Sequence, residues 1–432
     1  MHMPPPTTEG SILEADPARL ASLLLDALAP KRWPVPLEAF PPGSAVVGGA
    51  IRDALLGRLS ATPDLDLVVP ADALEQTRSL AKRFGGACVV LDAQRDMARL
   101  AVNGWTIDLA RQEGANLDAD LQRRDYRINA IALALGPTPR LVDPTGGLSD
   151  LKAKQLSAVA EQNLIDDPLR LLRGIRLAAE LRFQIARETW PLLLKHQALL
   201  PKAAPERIQA ELTKLVNAPD ADQALALLRT CGLLTPWAAH NHAPQTSGSP
   251  LNLTDRAKLL TTQEQAQALP LVRLTGLLSD DGLKALRFSR RQLQRCCHLR
   301  RWQQQDDGRG FTSLTQERRL KLHTDLGDDL PALIVQLPES VQVHWLQRWR
   351  DSSDPLFHPR PPLDGTTLQR ELGLAPGPRL GQLLMHLALE QAFGQFETRE
   401  AALESARRWW TRHGDGSDER PAERPTEPPR CD

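Results

Sequence analysis

The sequence predicts an α/β head followed by a long all-α remainder. Three observations carry this expectation. From Ser44 to about Leu135, short apolar runs alternate with helical segments. After Leu148 strand-like patterning almost vanishes, and residues 164–400 read as successive amphipathic helices broken by Pro and Gly. The length, 432 residues, suits two to four domains with several buried cores. The chain therefore divides into an N-terminal helix and linker (1–43), a mixed head with a small sheet (44–150), a helical neck (151–235), a helical body (236–345), a helical tail (346–412) and a disordered end (413–432) rich in Pro, Asp, Glu and Arg.

Composition narrows the class. An apolar fraction of 41% is too high for a disordered chain. No apolar stretch reaches about 18 residues, so no membrane span is expected. The start, Met1-His-Met-Pro-Pro-Pro, lacks the marks of a secretory signal. The five cysteines, Cys88, Cys231, Cys296, Cys297 and Cys431, form no CxxC pair. That speaks against a structural zinc site or a disulfide framework and for a reducing cytoplasm, with Cys296-Cys297 read as packing. Net charge is zero, from 53 basic and 53 acidic residues, so an anionic partner must be met by local patches. With one tyrosine and 4% aromatics, a binder that stacks successive bases is not expected. Arginine outnumbers lysine roughly four to one, which serves phosphate recognition and is equally what a GC-rich genome produces. No fixed-period repeat suggests a solenoid.

In chain order, residues 11–29 carry helical apolar spacing, and the Pro-rich stretch 34–42 ends that helix. Residues 46–47, 65–69, 88–91, 100–102 and 106–109 read as short strands. Helices are expected near 50–56, 74–84 and 117–135, and Asp143-Pro-Thr-Gly-Gly147 reads as a turn.

The first stretch with chemistry in it is Val46-Val-Gly-Gly-Ala-Ile-Arg-Asp-Ala-Leu-Leu-Gly57, followed by Pro63-Asp-Leu-Asp-Leu-Val-Val69. A strand runs into Gly48-Gly49 and a helix follows. Glycines let a backbone approach a ligand, and a helix N-terminus offers N–H groups to phosphate. Arg52, on the first turn, is placed to reach the same anion. Asp64 and Asp66 alternate within a strand, so both lie on one face with Leu65 on the other. Two such carboxylates repel unless a cation sits between them, and oxygen ligands of this kind suit Mg2+. An isolated DxD is most often a solvated strand end. Preceded by GGAIRD, it resembles the signature of the nucleotidyltransferase superfamily whose members add nucleotides to RNA 3′ ends.

Arg123-Arg-Asp-Tyr-Arg-Ile-Asn-Ala130 is, by itself, a charged helix start. In this context it resembles the RRDFTINA motif of the bacterial tRNA nucleotidyltransferase and poly(A) polymerase family. The resemblance implies that Arg124 contacts the nucleotide and Asp125 its ribose 2′-hydroxyl, a contact that favours ribonucleotides. It also implies a polymerase-β-like nucleotidyltransferase head with a small mixed sheet, followed by an all-α neck, body and tail.

Asp166-Asp-Pro-Leu-Arg-Leu-Leu-Arg-Gly-Ile-Arg176 follows. Pro168 suits a helix first turn, with an aspartate capping just before it. Spacing by three puts Asp167, Arg170, Arg173 and Arg176 on one slowly drifting ridge. An exposed ion-paired helix face explains that spacing too. Asp167 as acceptor and Arg170 as donor match the pairing edges of cytosine and adenine, whereas uracil and guanine oppose both contacts. In the family, the corresponding EDxxR segment is the base-reading element, and Arg173 and Arg176 match its further nucleotide-contacting arginines. Pro205-Glu-Arg-Ile-Gln-Ala-Glu-Leu-Thr-Lys-Leu215 resembles the family's ERIxxEL helix and is taken as structural support.

The chain departs from the family at several points. Asp166 stands where Glu is usual, and Gly174 and Leu177 replace Ala and Phe. Between the last head strand and Arg123, full CCA-adding members carry a flexible loop of about twenty residues that helps switch from C to A. Here 108–120 runs almost directly into Arg123. The resemblance then implies addition of CC only. Asp108 is either a third active-site carboxylate or a solvent-facing strand residue.

An RNA substrate needs a positive surface. Residues 283–301 contain no acidic residue, and Lys284, Arg287, Arg290, Arg291, Arg295, Arg300 and Arg301 supply phosphate contacts if they face one way. A basic solvated helix reads the same. Arg407, Arg408 and Arg412 beside Trp409-Trp410 offer a second contact, with the tryptophans expected in the core. The expectation is a cytoplasmic, Mg2+-dependent enzyme that adds cytidines from CTP to tRNA lacking CCA, monomeric or homodimeric, with no membrane partner. A-adding, complete CCA-adding and poly(A)-forming activity on ATP stay open, as does a catalytically silent RNA-binding protein.

Overall fold

The structure, a computed structural model, describes residues 12–239, 252–304 and 314–413. The chain forms two compact units, 1–211 with 218–233, and 212–217 with 234–432. The expected disordered end lies, His413 apart, outside the described residues.

The first unit opens with α1 (Pro17–Leu28), which buries Leu20, Leu24 and Leu28 as its spacing predicts. A seven-stranded sheet follows, in the order β3-β4-β5-β2-β1-β6-β7. Its strands are β1 (Ala45–Val47), β2 (Leu65–Val69), β3 (Ala87–Asp92), β4 (Met97–Val102), β5 (Trp105–Arg111), β6 (Ala132–Ala134) and β7 (Arg140–Val142). Only β2 and β5 pair in parallel, joined through α3 (Ala73–Phe84) and the β3–β4 hairpin. The rest is antiparallel, so the sheet is mixed as expected. Central β2 buries Leu65, Leu67, Val68 and Val69, which is why its apolar run reads as continuous. Asp66 is its one polar residue, in register with Val47 of β1 and Asp108 of β5.

The helix expected over 117–135 is much shorter. α4 (Leu117–Gln122) is capped by the Asn116 side chain and stops before Arg123. Tyr126 then bridges to Ala158, and residues 132–134 become β6. The apolar run Ala130–Leu135 fits either a buried helix or a buried strand, and pairing with β1 decides it.

Around this head lie α2 (Gly49–Leu55), α5 (Gly147–Ala153), α6 (Glu161–Asp166), α7 (Leu169–Leu181), α8 (Trp190–His196), α9 (Pro205–Val216) and α10 (Ala221–Cys231). Beyond residue 148 the described residues hold one two-residue parallel pair, β8 (Gln155–Leu156) with β9 (Gln184–Ile185), besides isolated bridges at Ala158 and between Ala238 and Leu278.

The second unit is all-α among its described residues, from α11 (Leu253–Arg256) through α12 (Thr262–Leu277), α13 (Asp280–Ala285), α14 (Arg290–Gln303), α15 (Gln316–Leu326), α16 (Leu330–Ile334), α17 (Glu339–Arg350), α18 (Gly365–Leu372) and α19 (Pro378–Ala392) to α20 (Arg399–His413). His323 is fully buried here. Its Nε2 accepts from Arg319 Nε at 3.1 Å, and its ring lies 4.2 Å from that of Phe357. Trp409 and Trp410 pack against the apolar cluster formed by α18, α19 and α20, as expected of core residues. Cys88, Cys231 and Cys296 are free thiols, and Cys296 and Cys297 are both buried, as packing residues are. No described helix is long and apolar enough to cross a membrane.

Candidate active site

The site forms where β2 delivers its one carboxylate to the end of β1. Gly48, directly after β1, takes φ +73°, a conformation that a side chain at this position would strain. The turn packs against Asp66: a Cβ on Gly48 would meet Asp66 Oδ2 at 3.4 Å and Arg124 Nη1 at 3.5 Å. The first unit holds a cavity of about 290 Å3 lined by Asp66, Arg124, Asp125, Asp167, Arg170 and Arg173. These are six of the predicted site residues, drawn from three separate motifs. Asp108 and Arg207 line it too.

Electrostatics mark Asp66 out. Burial pushes its carboxyl above the ordinary range, Asp108 and Asp64 push the same way, and Arg124 and Arg173 oppose them. Among the described residues, nothing donates a hydrogen bond to it. A desolvated carboxylate beside other carboxylates gains from a hard cation, so Asp66 with exposed Asp64 fits a divalent metal ion. No group of three or more His, Cys, Asp or Glu side chains is placed to hold an ion among the described residues. Asp108, in register with Asp66 on the neighbouring strand, accepts from Arg99 of β4 at both its oxygens, at 2.7 and 2.9 Å.

The arginines are held by different means. Arg124 donates from Nη2 to buried Asp120 at 3.1 Å, while its Nε is buried without a partner. Asp125 accepts from the Tyr126 N–H at 2.7 Å and the Asn129 amide at 3.1 Å, and pairs with Arg173 Nε at 2.8 Å. Burial alone would raise its carboxyl, but Arg173 and these donors outweigh burial and hold it below the usual range. Asp125 in turn raises Arg173. Burial weakens Arg170's hold on its proton although Asp125 and Asp167 face it. Arg170 Nη1 donates to two main-chain carbonyls, Arg123 at 2.8 Å and Asn163 at 3.2 Å. Asn163 donates onward to the carbonyls of Gln122 and Arg124, both at 2.8 Å.

Several expectations are corrected. Asp167 is not on the α7 ridge. It caps the C-terminus of α6 in an extended conformation, and its ion-pair partner is Arg207 of α9 at 2.8 Å. Arg52 does not line the cavity. Its Nε and Nη2 go to Asp53 at 3.0 Å and its Nη1 to Asn129 at 2.8 Å, so its fork is spent on a strut behind Asp125. Gly49 and Asp64 lie outside the lining as well. Arg176 is buried between Glu211, at 2.6 Å, and Glu180, away from the cavity. In the second unit, Arg287, Arg290 and Arg291 are exposed as expected, but Arg295 is committed to Asp329 at 2.6 and 2.8 Å. Arg300 and Arg301 likewise pair with Asp280 and Asp325.

Sequence reasoning missed Arg207, Asn163, Asn129 and Asp120. Arg207 had a signal: a carboxylate read as base-facing in an arginine-rich cleft needs a resting partner, and the helix taken as mere support supplies it.

The chain matches two family models, the poly A polymerase head domain over residues 44–157 and the probable RNA and SrmB-binding site of polymerase A over 182–239. It is 34% identical to a CC-adding tRNA nucleotidyltransferase of Synechocystis over 87% of this chain and 96% of that protein. It is 33% identical to an A-adding tRNA nucleotidyltransferase of Deinococcus radiodurans, over 87% and 97% respectively. In fold it resembles the Thermotoga maritima CCA-adding enzyme solved with tRNA, with a TM-score of 0.63 at 21% identity, covering 92% of this chain and 97% of that one.

Proposed function

The chain belongs to the bacterial tRNA nucleotidyltransferase family, and from that premise we propose that it adds CC to the 3′ end of tRNA lacking CCA, using CTP and Mg2+ and releasing pyrophosphate. The observation that carries a transfer reaction is the cavity itself. One carboxylate without a hydrogen-bond donor among the described residues shares a space of about 290 Å3 with four arginines and the Asp167 carboxylate. In this reading the RNA 3′-hydroxyl oxygen bonds to the α-phosphorus of CTP as the bond to the bridging oxygen breaks, and its proton leaves to solvent. A divalent ion held by Asp64 and Asp66 would lower the hydroxyl pKa and offset charge on the phosphate oxygens. Arg124 and Arg173 meet the triphosphate, and Asp125 accepts from the ribose 2′-hydroxyl. Asp167 and Arg170 face the base, with Arg207 letting go of Asp167 as the cytosine amino group arrives. Arg290 and Arg291 suit RNA phosphates. Two cations on the first turn of α14 cost about 0.3–1 kcal/mol each against the helix dipole, so helix stability does not account for them.

For CC rather than CCA, the support is the short connection from β5 to α4, five residues (112–116) between Arg111 and Leu117, where the long C-to-A switching loop is expected in full CCA-adding members. The similarity to an A-adding relative makes the assay decisive. Purified protein is given CTP, ATP, UTP or GTP with tRNA ending before CCA, or after CC. Two cytidines and a stop is the expected product. Exclusive ATP use, a third residue A, or long A tails would remove the CC reading.

A further inference from the structure

Tyr126 and Gly174, from two separate motifs, meet in space. Tyr126 stands where the RRDF motif carries Phe, and Gly174 stands where Ala is usual. Tyr126 is fully buried, and its hydroxyl donates to the main-chain carbonyl of Arg170 at 2.8 Å. Gly174 lies one turn further along α7. A Cβ there would stand 2.5 Å from Tyr126 Cζ and closer still to the hydroxyl oxygen. Gly174 has no left-handed backbone, so space alone explains it. A glycine inside a helix costs about 1 kcal/mol relative to alanine, and here that cost is met by a packed ring and a buried hydrogen bond.

We propose that Tyr126 and Gly174 act as one positioning pair that seats the first turn of α7 against the Asp125 segment and thereby sets nucleotide affinity and base choice. Tyr126 follows Asp125 directly. Its N–H holds Asp125 Oδ1, and its hydroxyl holds the carbonyl of Arg170, whose side chain lines the cavity. Arg173, one residue before Gly174, reaches back to Asp125 Oδ2 at 2.8 Å. One ring therefore fixes the ribose-facing carboxylate and the arginine-bearing turn in the same frame. With Ala at 174 and Tyr at 126, helix and ring cannot both keep their places. With Ala and Phe together, the helix must still stand off, because the ring carbon at 2.5 Å lies inside contact distance.

This inference rests on the nucleotidyltransferase reading but not on which base is added. The test uses the full chain as Tyr126→Phe, Gly174→Ala and the double variant, each with a melting curve and steady-state rates for all four nucleotides. Wild type first establishes the preferred nucleotide. If that is ATP, the CC reading fails while the pair is still read on ATP. Gly174→Ala is expected to lose much of its stability, and the double variant to recover only part of it, because the ring carbon still crowds the new methyl. Tyr126→Phe, which takes the hydroxyl donor from the Arg170 carbonyl, is expected to melt below wild type but stay folded, and to raise KM for the preferred nucleotide roughly ten-fold with a smaller change in kcat and a narrower preference over UTP, because a small shift of positioning groups acts on binding geometry. The double variant should fold and show the same altered KM. Wild-type KM and base preference in both Tyr126→Phe and the double variant would overturn the proposal and leave only core packing.

Discussion

Replacing Arg176 with Met separates two readings of the same residue. The family resemblance implies a nucleotide contact for Arg176, whereas the structure buries it between Glu211 and Glu180, with 8% of its side chain exposed. Glu180 keeps a second partner, Arg58 at 3.3 Å, so the orphan left by the substitution is Glu211, whose own side chain is 9% exposed. Unit charges about 4 Å apart at an effective dielectric near 20 attract by about 4 kcal/mol, and breaking a buried pair by removing one partner costs about 3–5 kcal/mol. Some of Arg176's packing survives in Met, so a loss of about 3 kcal/mol is expected. Urea unfolding reads the loss, and nucleotide KM on the folded enzyme reads the contact. Stability should fall while KM stays within about two-fold. Arg176→Met combined with Glu211→Leu should regain most of the lost stability. A variant that unfolds within about 0.5 kcal/mol of wild type but binds nucleotide ten-fold more weakly would refute the burial argument.

Three further outcomes are expected. Asp66→Asn should abolish incorporation by a factor of about 10³ or more while folding at least as well at neutral pH, because burial disfavours the carboxylate that Asn removes; a variant with wild-type rates would exclude Asp66 from the chemistry. His323, with its pKa lowered to about 3 by burial and by Arg319 and Arg348, stays neutral when folded but takes a proton when unfolded below about pH 6.5. Its contribution is therefore complete above that pH and lost as pH falls toward 3. Moving from pH 7 to pH 5 should cost about 2 kcal/mol, measured as a pH-dependent melting shift that His323→Gln largely removes. Arg290→Ala with Arg291→Ala should lower the slope of log affinity for tRNA against log salt by about 1 to 2, and an unchanged slope would place the RNA elsewhere.

Much of the site was legible because its carboxylates break patterns. Asp66 interrupts a buried strand, and Asp125 and Asp167 sit in motifs whose order along the chain is specific. What stayed hidden was the partner of each charge. An arginine's position in a motif says that its guanidinium can reach an anion, but not how many of its donors neighbours have already taken, and Arg52, Arg176 and Arg295 are each taken. Helical spacing failed at Asp167 because Pro168 opens a break between α6 and α7 that periodicity runs through. The strand β6 was hidden inside an all-apolar run, where pairing with β1 rather than local preference chose the conformation.

Arg170 and Asn163 hold residues 122–124 through their main-chain carbonyls. A grip on backbone oxygens is indifferent to which side chains hang from them. Gln122 and Arg123 are therefore open to mutation at little expense to the shape of the pocket, so that drift at these two positions can retune its rim, and with it what the enzyme tolerates at the entrance, while the interior holds still.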